Sequence, residues 1–432
     1  MKLAAPSDNA HSGAAAAAPA PAAQSRFVSL DFLRGCAVMG ILAMNIVAFA
    51  MPEIAYINPA AYGAGDGGNI TAWLFGFLFF DGKMRGLFSL LFGASMMIVI
   101  MQMTERGEDP TKRHYARMFW LAIFGLLHFF LIWWGDILFS YAAAGSVAYL
   151  FHHLSSRSLI KWGLILYAAA FLTISLASGA MLYTQYRAYQ PGASATEIRD
   201  YRVLIEDTGY GQAAIDRDLA VHRGSYAGIL DDKLTEKLFD PLLGIIGVLL
   251  ETLPFMLIGM AMAQNGFITG QAKPQTYRRF AIWGFGGGLI LTALCAAVNI
   301  RTAFDPVTVM VIEMNAAMPA RLLMTVGYAA LLILFIRRFS LACISQHISA
   351  AGRVAFTNYI GTSVCMTAIF YGYGFGLYGQ VSRPWLYGFV LCAWAVMLLW
   401  SKPWLAHFHY GPLEWLWRSL ARGRLQPLRR VA

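Results

Sequence analysis

Apolar runs long enough to cross a bilayer recur along the chain, separated mostly by short polar loops. The first is Gly35–Met51, with Asp31 and Arg34 leading into it. Thr71–Met103, Ala116–Trp134, Ile137–Phe151, Trp162–Tyr183 and Phe239–Ala263 follow, then Phe280–Ile300, Pro319–Ile336, Val354–Tyr373 and Pro384–Trp400. The pattern predicts an all-α fold, a polytopic membrane helix bundle of about ten transmembrane helices. Thr71–Met103 is too long for one straight crossing and holds Asp81, Lys83 and Arg85. A break is therefore expected near Gly82, with a short amphipathic or re-entrant piece before it.

Five regions follow from this pattern. Residues 1–25 are an Ala/Pro-rich stretch too poor in apolar bulk to fold, expected as a disordered cytoplasmic tail. Residues 26–184 form an N-terminal transmembrane half. The long loop 185–238 mixes acids with bases and is expected outside the cytoplasm, as short helices over the mouth of the bundle. Residues 239–418 form a C-terminal transmembrane half. Its last segment, Leu413–Arg418, is amphipathic and carries Trp and Arg, which suits a helix lying in the membrane interface. Residues 419–432 are a basic cytoplasmic tail.

Composition agrees: 58% of the 432 residues are hydrophobic and 13% charged, against about 25% charged in soluble domains. The formal charge of +10 raises nucleic acid as a partner, but the basic residues sit at the ends of apolar runs and exclude it. They fall in alternate loops. One set holds Arg106, Lys112, Arg113 and Arg117, then Arg157 and Lys161, then Lys273, Arg278 and Arg279, then Arg337, Arg338 and Arg353. The other set is nearly free of them, so both termini are expected in the cytoplasm. The five cysteines form no Cys-x-x-Cys pair, and no metal or disulfide framework is visible. P-loop, His-Glu-x-x-His and Gly-x-Ser-x-Gly motifs are absent. Gly284-x-Gly286-Gly287-Gly288 lies in an apolar run and reads as close helix packing.

Polar groups inside apolar spans are costly and face a cavity or one another, so they are the best pointers to function. Asp31 and Arg34 share a helix face at spacing i, i+3. They are either a cap with a snorkelling anchor or an anion site for a phosphate-rich donor. Asn45 reads as interhelical hydrogen-bonding glue. Lys83 and Arg85 snorkel, or both point into a cavity at the break. His128 and Asp136 lie about 12 Å apart along a straight helix. They touch only if the turn at Gly135 folds the carboxylate back, which would make an oriented proton shuttle; otherwise His128 is a packing residue. Glu251, just before Pro254, is a structural buried acid or a pocket residue. Asn45, Lys83, His128 and Glu251 are expected to line one cavity.

The stretch Ser29-Leu30-Asp31-Phe32-Leu33-Arg34-Gly35, then Gly40-Ile41-Leu42 and Asn45, resembles the opening of the YeiB family of bacterial inner-membrane proteins. Tyr56-x-Asn58-Pro59, Lys83, Leu90-Leu91-Phe92-Gly93-Ala94, His128 and Gly135-Asp136-Ile137-Leu138 continue the likeness. Gly352-Arg353-x-Ala355-x-Thr357-Asn358-Tyr359 and Gly411–Arg418 close it. The likeness runs from Arg26 to about Arg418 and implies an inner-membrane location. The family's C-terminal half is a domain of unknown function and implies no activity. The opening is also distantly similar to membrane acyltransferases of the heparan N-acetyltransferase type, which have Asn where this chain has Asn45. They carry a far-side His where this chain has Tyr56, so that role passes to His128.

The resulting expectation is a membrane-embedded acyltransferase that moves an acyl group from a cytoplasmic acyl-CoA-type donor to an extracytoplasmic acceptor. His128 is its general base, with Asp136 and Asn45 orienting groups. Asp31, Arg34, Lys83, Arg85, Glu251 and Asn358 are the substrate-binding candidates. No permanently bound cofactor or metal is expected. The expected partners are the lipid bilayer and a small-molecule, lipid or glycan substrate, with a homodimer left open. The alternatives are a proton-coupled transporter of a small molecule or lipid, and a non-catalytic membrane scaffold.

Overall fold

The computed structural model of the chain describes residues 21–63 and 67–430. The expected tail therefore lies outside the described residues up to Ala20, and from Pro21 onward the chain is already helical. Helix α1 (Pro21–Ala50) runs from the basic end of the bundle, where Arg34 sits, to the opposite, far end. The short α2 (Glu53–Ile57) turns there, and α3 (Gly67–Phe79) returns inward. The chain breaks at Gly82, as the length of the run predicts, and α4 (Lys83–Glu105) completes the crossing. Gly82 has φ +68°, which costs glycine little. A Cβ there would also run into the Arg321 side chain.

Helices α5 (Thr111–Leu131) and α6 (Leu138–Tyr149) form a hairpin, and the long α7 (Ser156–Ala188) follows. The expected loop holds three short helices, α8 (Ala195–Asp207), α9 (Gln212–His222) and α10 (Tyr226–Thr235). The last caps α5. Lys233 Nζ donates to the carbonyl of Phe129 at 2.9 Å, and Tyr226 Oη to that of Leu131 at 2.9 Å. These carbonyls end α5 and have no partner within it. Burial pulls the Lys233 ammonium down to about 8.

Helix α11 (Asp240–Gln264) leads to α12 (Pro274–Arg279), which continues through a π-helical stretch, Phe280–Gly286, into α13 (Gly287–Arg301). Next come α14 (Pro306–Val311), a π-helical turn at Ile312–Ala316, and α15 (Met318–Phe339). Helices α16 (Cys343–Arg353), α17 (Ala355–Phe370), α18 (Arg383–His407) and α19 (Pro412–Arg422) end the fold. The last of these contains the expected amphipathic segment.

Eight of the described helical segments are long and apolar enough to cross a membrane by length and composition alone, and two shorter helices running between the same two ends, α6 and α17, make up the expected ten. The runs expected at Ile137–Phe151 and Val354–Tyr373 are α6, of 12 residues, and α17, of 16. At about 1.5 Å per residue these reach roughly 18 and 24 Å, short of a hydrocarbon core of about 30 Å. The apolar side chains of α6 meet protein: Tyr141, Ala144 and Ala148 are buried in the core.

Glycines set the closest helix contacts. A Cβ on Gly93 of α4 would strike the Met256 carbonyl, and one on Gly259 of α11 would strike the Leu90 carbonyl. Small residues let backbones approach in this way where lipid supplies no hydrophobic drive. Gly259→Val should part α4 from α11 and cost about 1–3 kcal/mol, read as a lower thermal unfolding midpoint of the detergent-solubilised protein.

Candidate functional site

A cavity of about 1240 Å³ occupies the basic end of the bundle. Its rim carries Arg34 of α1, Arg113 and Arg117 of α5, Arg353 of α16, and Arg418 and Arg422 of α19. Among the described residues its walls hold two acids, Asp31 and Glu414, and both are already engaged. Arg34 donates to Asp31 at 3.0 Å and to Ser95 Oγ at 2.9 Å. Glu414 accepts from the Phe356 and Thr357 amides, at 2.7 and 3.1 Å, and from the Thr357 hydroxyl at 2.6 Å, so it caps α17 from a distant part of the chain. The guanidinium groups left over repel one another across the cavity, and an anion placed among them relieves that repulsion. Helix α19 closes one side. Trp417 Nε1 donates to the Arg117 carbonyl at 3.0 Å while the Arg117 guanidinium lies 4.8 Å from the Trp417 ring centre.

Away from the arginines the cavity is lined by Phe88, Ile137, Leu138, Tyr141 and Tyr359. Directly behind Tyr359, with ring centres 5.2 Å apart, lies His128. The turn through Gly135 does fold Asp136 back: its Oδ1 is 2.8 Å from His128 Nδ1, and its Oδ2 accepts from the Phe139 amide at 2.9 Å. Helix α5 thus supplies the imidazole and the start of α6 fixes the carboxylate. An ionised carboxylate only accepts, so it assigns the proton to Nδ1 and leaves a lone pair on Nε2. His128 is 1% exposed and Nε2 has no partner. A buried, oriented imidazole with a free basic nitrogen is the arrangement of a general base.

The other candidates fall elsewhere. Asp31 and Arg34 line the basic cavity; Asn45, Lys83, Arg85, Glu251 and Asn358 do not. The expected single cavity is therefore not observed. Asn45 is buried on α1. Asn358 is used in packing: its amide donates to the Ala351 carbonyl at 3.1 Å and accepts from Trp400 Nε1 at 2.8 Å. Lys83 donates to the Phe77 carbonyl at 2.5 Å, closing the end of α3.

Arg85 and Glu251 belong to a second polar centre near the Gly82 break. Arg85 Nη2 lies 2.5 Å from Glu251 Oε2. Arg321 of α15 reaches Glu313 at 2.6 Å, Asp81 at 3.7 Å and Glu251 at 3.8 Å. Tyr141 separates this centre from the basic cavity. It lines the cavity, and its hydroxyl donates to the Arg85 carbonyl at 3.2 Å and contacts Ser89 Oγ at 2.5 Å.

Sequence reasoning passed over Glu313, whose signal was an acid inside the apolar stretch Val309–Met314. It also passed over a second His–Asp pair in the far-end loop. His222 Nδ1 lies 2.5 Å from Asp218 Oδ1 on α9. Asp218 also accepts from the Glu53 amide at 2.7 Å and the Tyr378 hydroxyl at 3.2 Å, which ties α9 to α2 and to the loop after α17. Burial works to raise the Asp218 carboxyl, but the bond to His222 and its charge outweigh it and hold the group below its ordinary range. The signal here was the i, i+4 spacing of the two residues on one helix.

A family model described as "Protein of unknown function (DUF418)" matches residues 262–424. No solved structure matches the chain. The chain is 28% identical over 417 residues to "Uncharacterized protein YxaH" of Bacillus subtilis (strain 168), covering 92% of this chain and 95% of that protein. It is 32% identical over 403 residues to "Uncharacterized protein YeiB" of Escherichia coli (strain K12), covering 91% of this chain and 96% of that protein. With apolar helices throughout and likeness over nearly its full length, the chain is a membrane protein of the YeiB family.

Proposed function

We propose that the chain is a membrane-embedded acyltransferase of the bacterial inner membrane. It takes an acyl group from an acyl-CoA-type donor at the cytoplasmic, basic end and passes it to an acceptor arriving from the far end. The observation that carries this reading is His128, oriented by Asp136 and with Nε2 free, directly behind the floor of a cavity whose rim is an arginine cluster. From Arg117 to His128 the distance along α5 is about 16 Å at roughly 1.5 Å per residue. A donor with phosphates at the rim and a long arm reaching the floor fits that depth. The Tyr359 ring must swing aside to admit the thioester.

Nε2 of His128 then takes the proton of an acceptor hydroxyl or amine as that atom attacks the thioester carbonyl. The carbon–sulfur bond breaks, and the imidazolium returns its proton to the departing thiolate. Asp136 holds the tautomer and stabilises the transient positive charge. Protons balance, so the reaction needs no external proton.

The donor side is tested by Arg117→Ala and Arg418→Ala. Each should raise KM for the acyl-CoA donor roughly 10- to 100-fold, the worth of a charged hydrogen bond, with kcat little changed. An unchanged KM in both would contradict a donor head at the rim. Orientation rests on the alternation of Lys and Arg between loops. A reporter active only outside the cytoplasm should give signal when fused at Tyr201 and none after Arg430.

A second reading, a proton-coupled transporter, draws on the buried charge centre around Arg321. Counter-flow of a labelled solute through proteoliposomes, undiminished in the His128→Gln variant, would favour it.

A further inference from the structure

A second, smaller cavity of about 40 Å³ lies between the far end and the charge centre, against α1, α3 and α18. It has room for a water molecule or two. Tyr56, Asp81, Glu313, Arg383 and Tyr387 stand on its walls. The Asp81 and Glu313 carboxyls are within hydrogen-bonding contact of one another. Two ionised carboxylates are both acceptors only, so such a contact requires a proton between them. Arg321 holds the pair from behind, with Nη2 at 2.6 Å from Glu313 and 3.7 Å from Asp81.

Unpartnered atoms on the cavity point the same way. Asp81 Oδ2 has no hydrogen-bond donor, and Arg383, 2% exposed, has no acceptor for its Nε. Such orphan groups are expensive in a low-dielectric interior. A shared proton satisfies the first, and a water in the cavity satisfies the second.

We propose that Asp81 and Glu313 form a proton-binding site, a carboxyl pair that holds one proton between them and exchanges it with the far face through this cavity. The charged and titratable groups around it are Lys83 and Arg85 of α4, Glu251 of α11, Arg321 of α15, Tyr56 of α2, Cys295 of α13, and Arg383 and Tyr387 of α18. Lys83, Arg85 and Arg321 face Asp81, Glu251 and Glu313. With the proton bound this group of six carries one positive charge in excess, and without it the group is neutral. Proton occupancy therefore changes the field on Arg85, whose backbone carbonyl holds the Tyr141 hydroxyl on the wall of the basic cavity. The site stands apart from His128 and does not depend on the acyl-transfer reading.

The test is infrared spectroscopy of the full-length protein in lipid nanodiscs at neutral pH. The wild type should show the carbonyl stretch of a protonated carboxyl, shifted when water is replaced by D2O. Asp81→Asn and Glu313→Gln should each remove it, while His128→Ala and Glu414→Gln leave it in place. If neither cluster variant folds, the wild type alone decides: the band must move when aspartate or glutamate carries carboxyl ¹³C. A wild type without the band, or a band that survives in both folded variants, would overturn the proposal.

Discussion

His128→Ala lowers the acyl-transfer rate by roughly 10²–10⁴-fold, the usual contribution of a positioned general base, while the protein still folds and inserts. The variant loses the free Nε2 and leaves Asp136 with its second bond, from the Phe139 amide, intact. His128→Gln is the sharper case. Glutamine can still donate to Asp136 and fill most of the space, but an amide cannot take and return a proton. Its rate should fall nearly as far as that of the alanine variant, with wild-type protein levels. Were His128 a packing residue, Gln would restore function and the Ala variant would show chiefly as less protein. Asp136→Asn separates positioning from chemistry. The amide can offer a hydrogen to Nδ1 and invert the tautomer, so kcat should drop with KM for the donor unchanged. The readout is transfer of label from an acyl-CoA donor into extracted lipid and glycan, normalised to protein.

The His128–Asp136 pair was half legible in the sequence. Both residue types stood out, at an apolar span and at its edge. Whether they touch depended on the Gly135 turn, which composition does not encode. Asn358 was named through the family likeness, and its partners, Trp400 and Ala351, are set by the packing of three helices. Hydropathy found α6 and α17 as apolar runs although both helices are short, because it registers transfer out of water and does not distinguish lipid from protein as the destination. Glu313 was hidden by the reading of residues 301–318 as a loop. Those residues fold back as α14 and a π-helical turn, and so carry an acid inside the bundle.

Arg321→Met has the largest expected effect on stability, a loss of about 3–5 kcal/mol. Arg321 is 5% exposed and is the one described cation within ion-pair distance of Asp81 and Glu313, and it also approaches Glu251. Removing it strands acids in a low-dielectric interior, where an unpaired charge costs far more than a lost surface pair. Arg85 still covers Glu251, so the damage concentrates on the other two. Adding Glu313→Gln to Arg321→Met should recover part of the loss, because the acceptor that Arg321 held at 2.6 Å is then an amide that can donate to Asp81. The double-variant cycle, read from thermal unfolding midpoints in one detergent, should give a coupling energy well above about 0.5 kcal/mol, beyond simple additivity. Equal midpoints for wild type and Arg321→Met would mean that the centre is solvated and not a buried ionic core.

The most direct measurement of the central claim is a structure of the protein saturated with a non-hydrolysable thioether analogue of an acyl-CoA. The account predicts the phosphates of the analogue among Arg34, Arg117 and Arg418, its arm running down the cavity, the Tyr359 ring turned aside, and the carbon that replaces the thioester carbonyl facing His128 Nε2. An empty basic cavity at saturation, or an analogue bound with its reactive end away from His128, would contradict it.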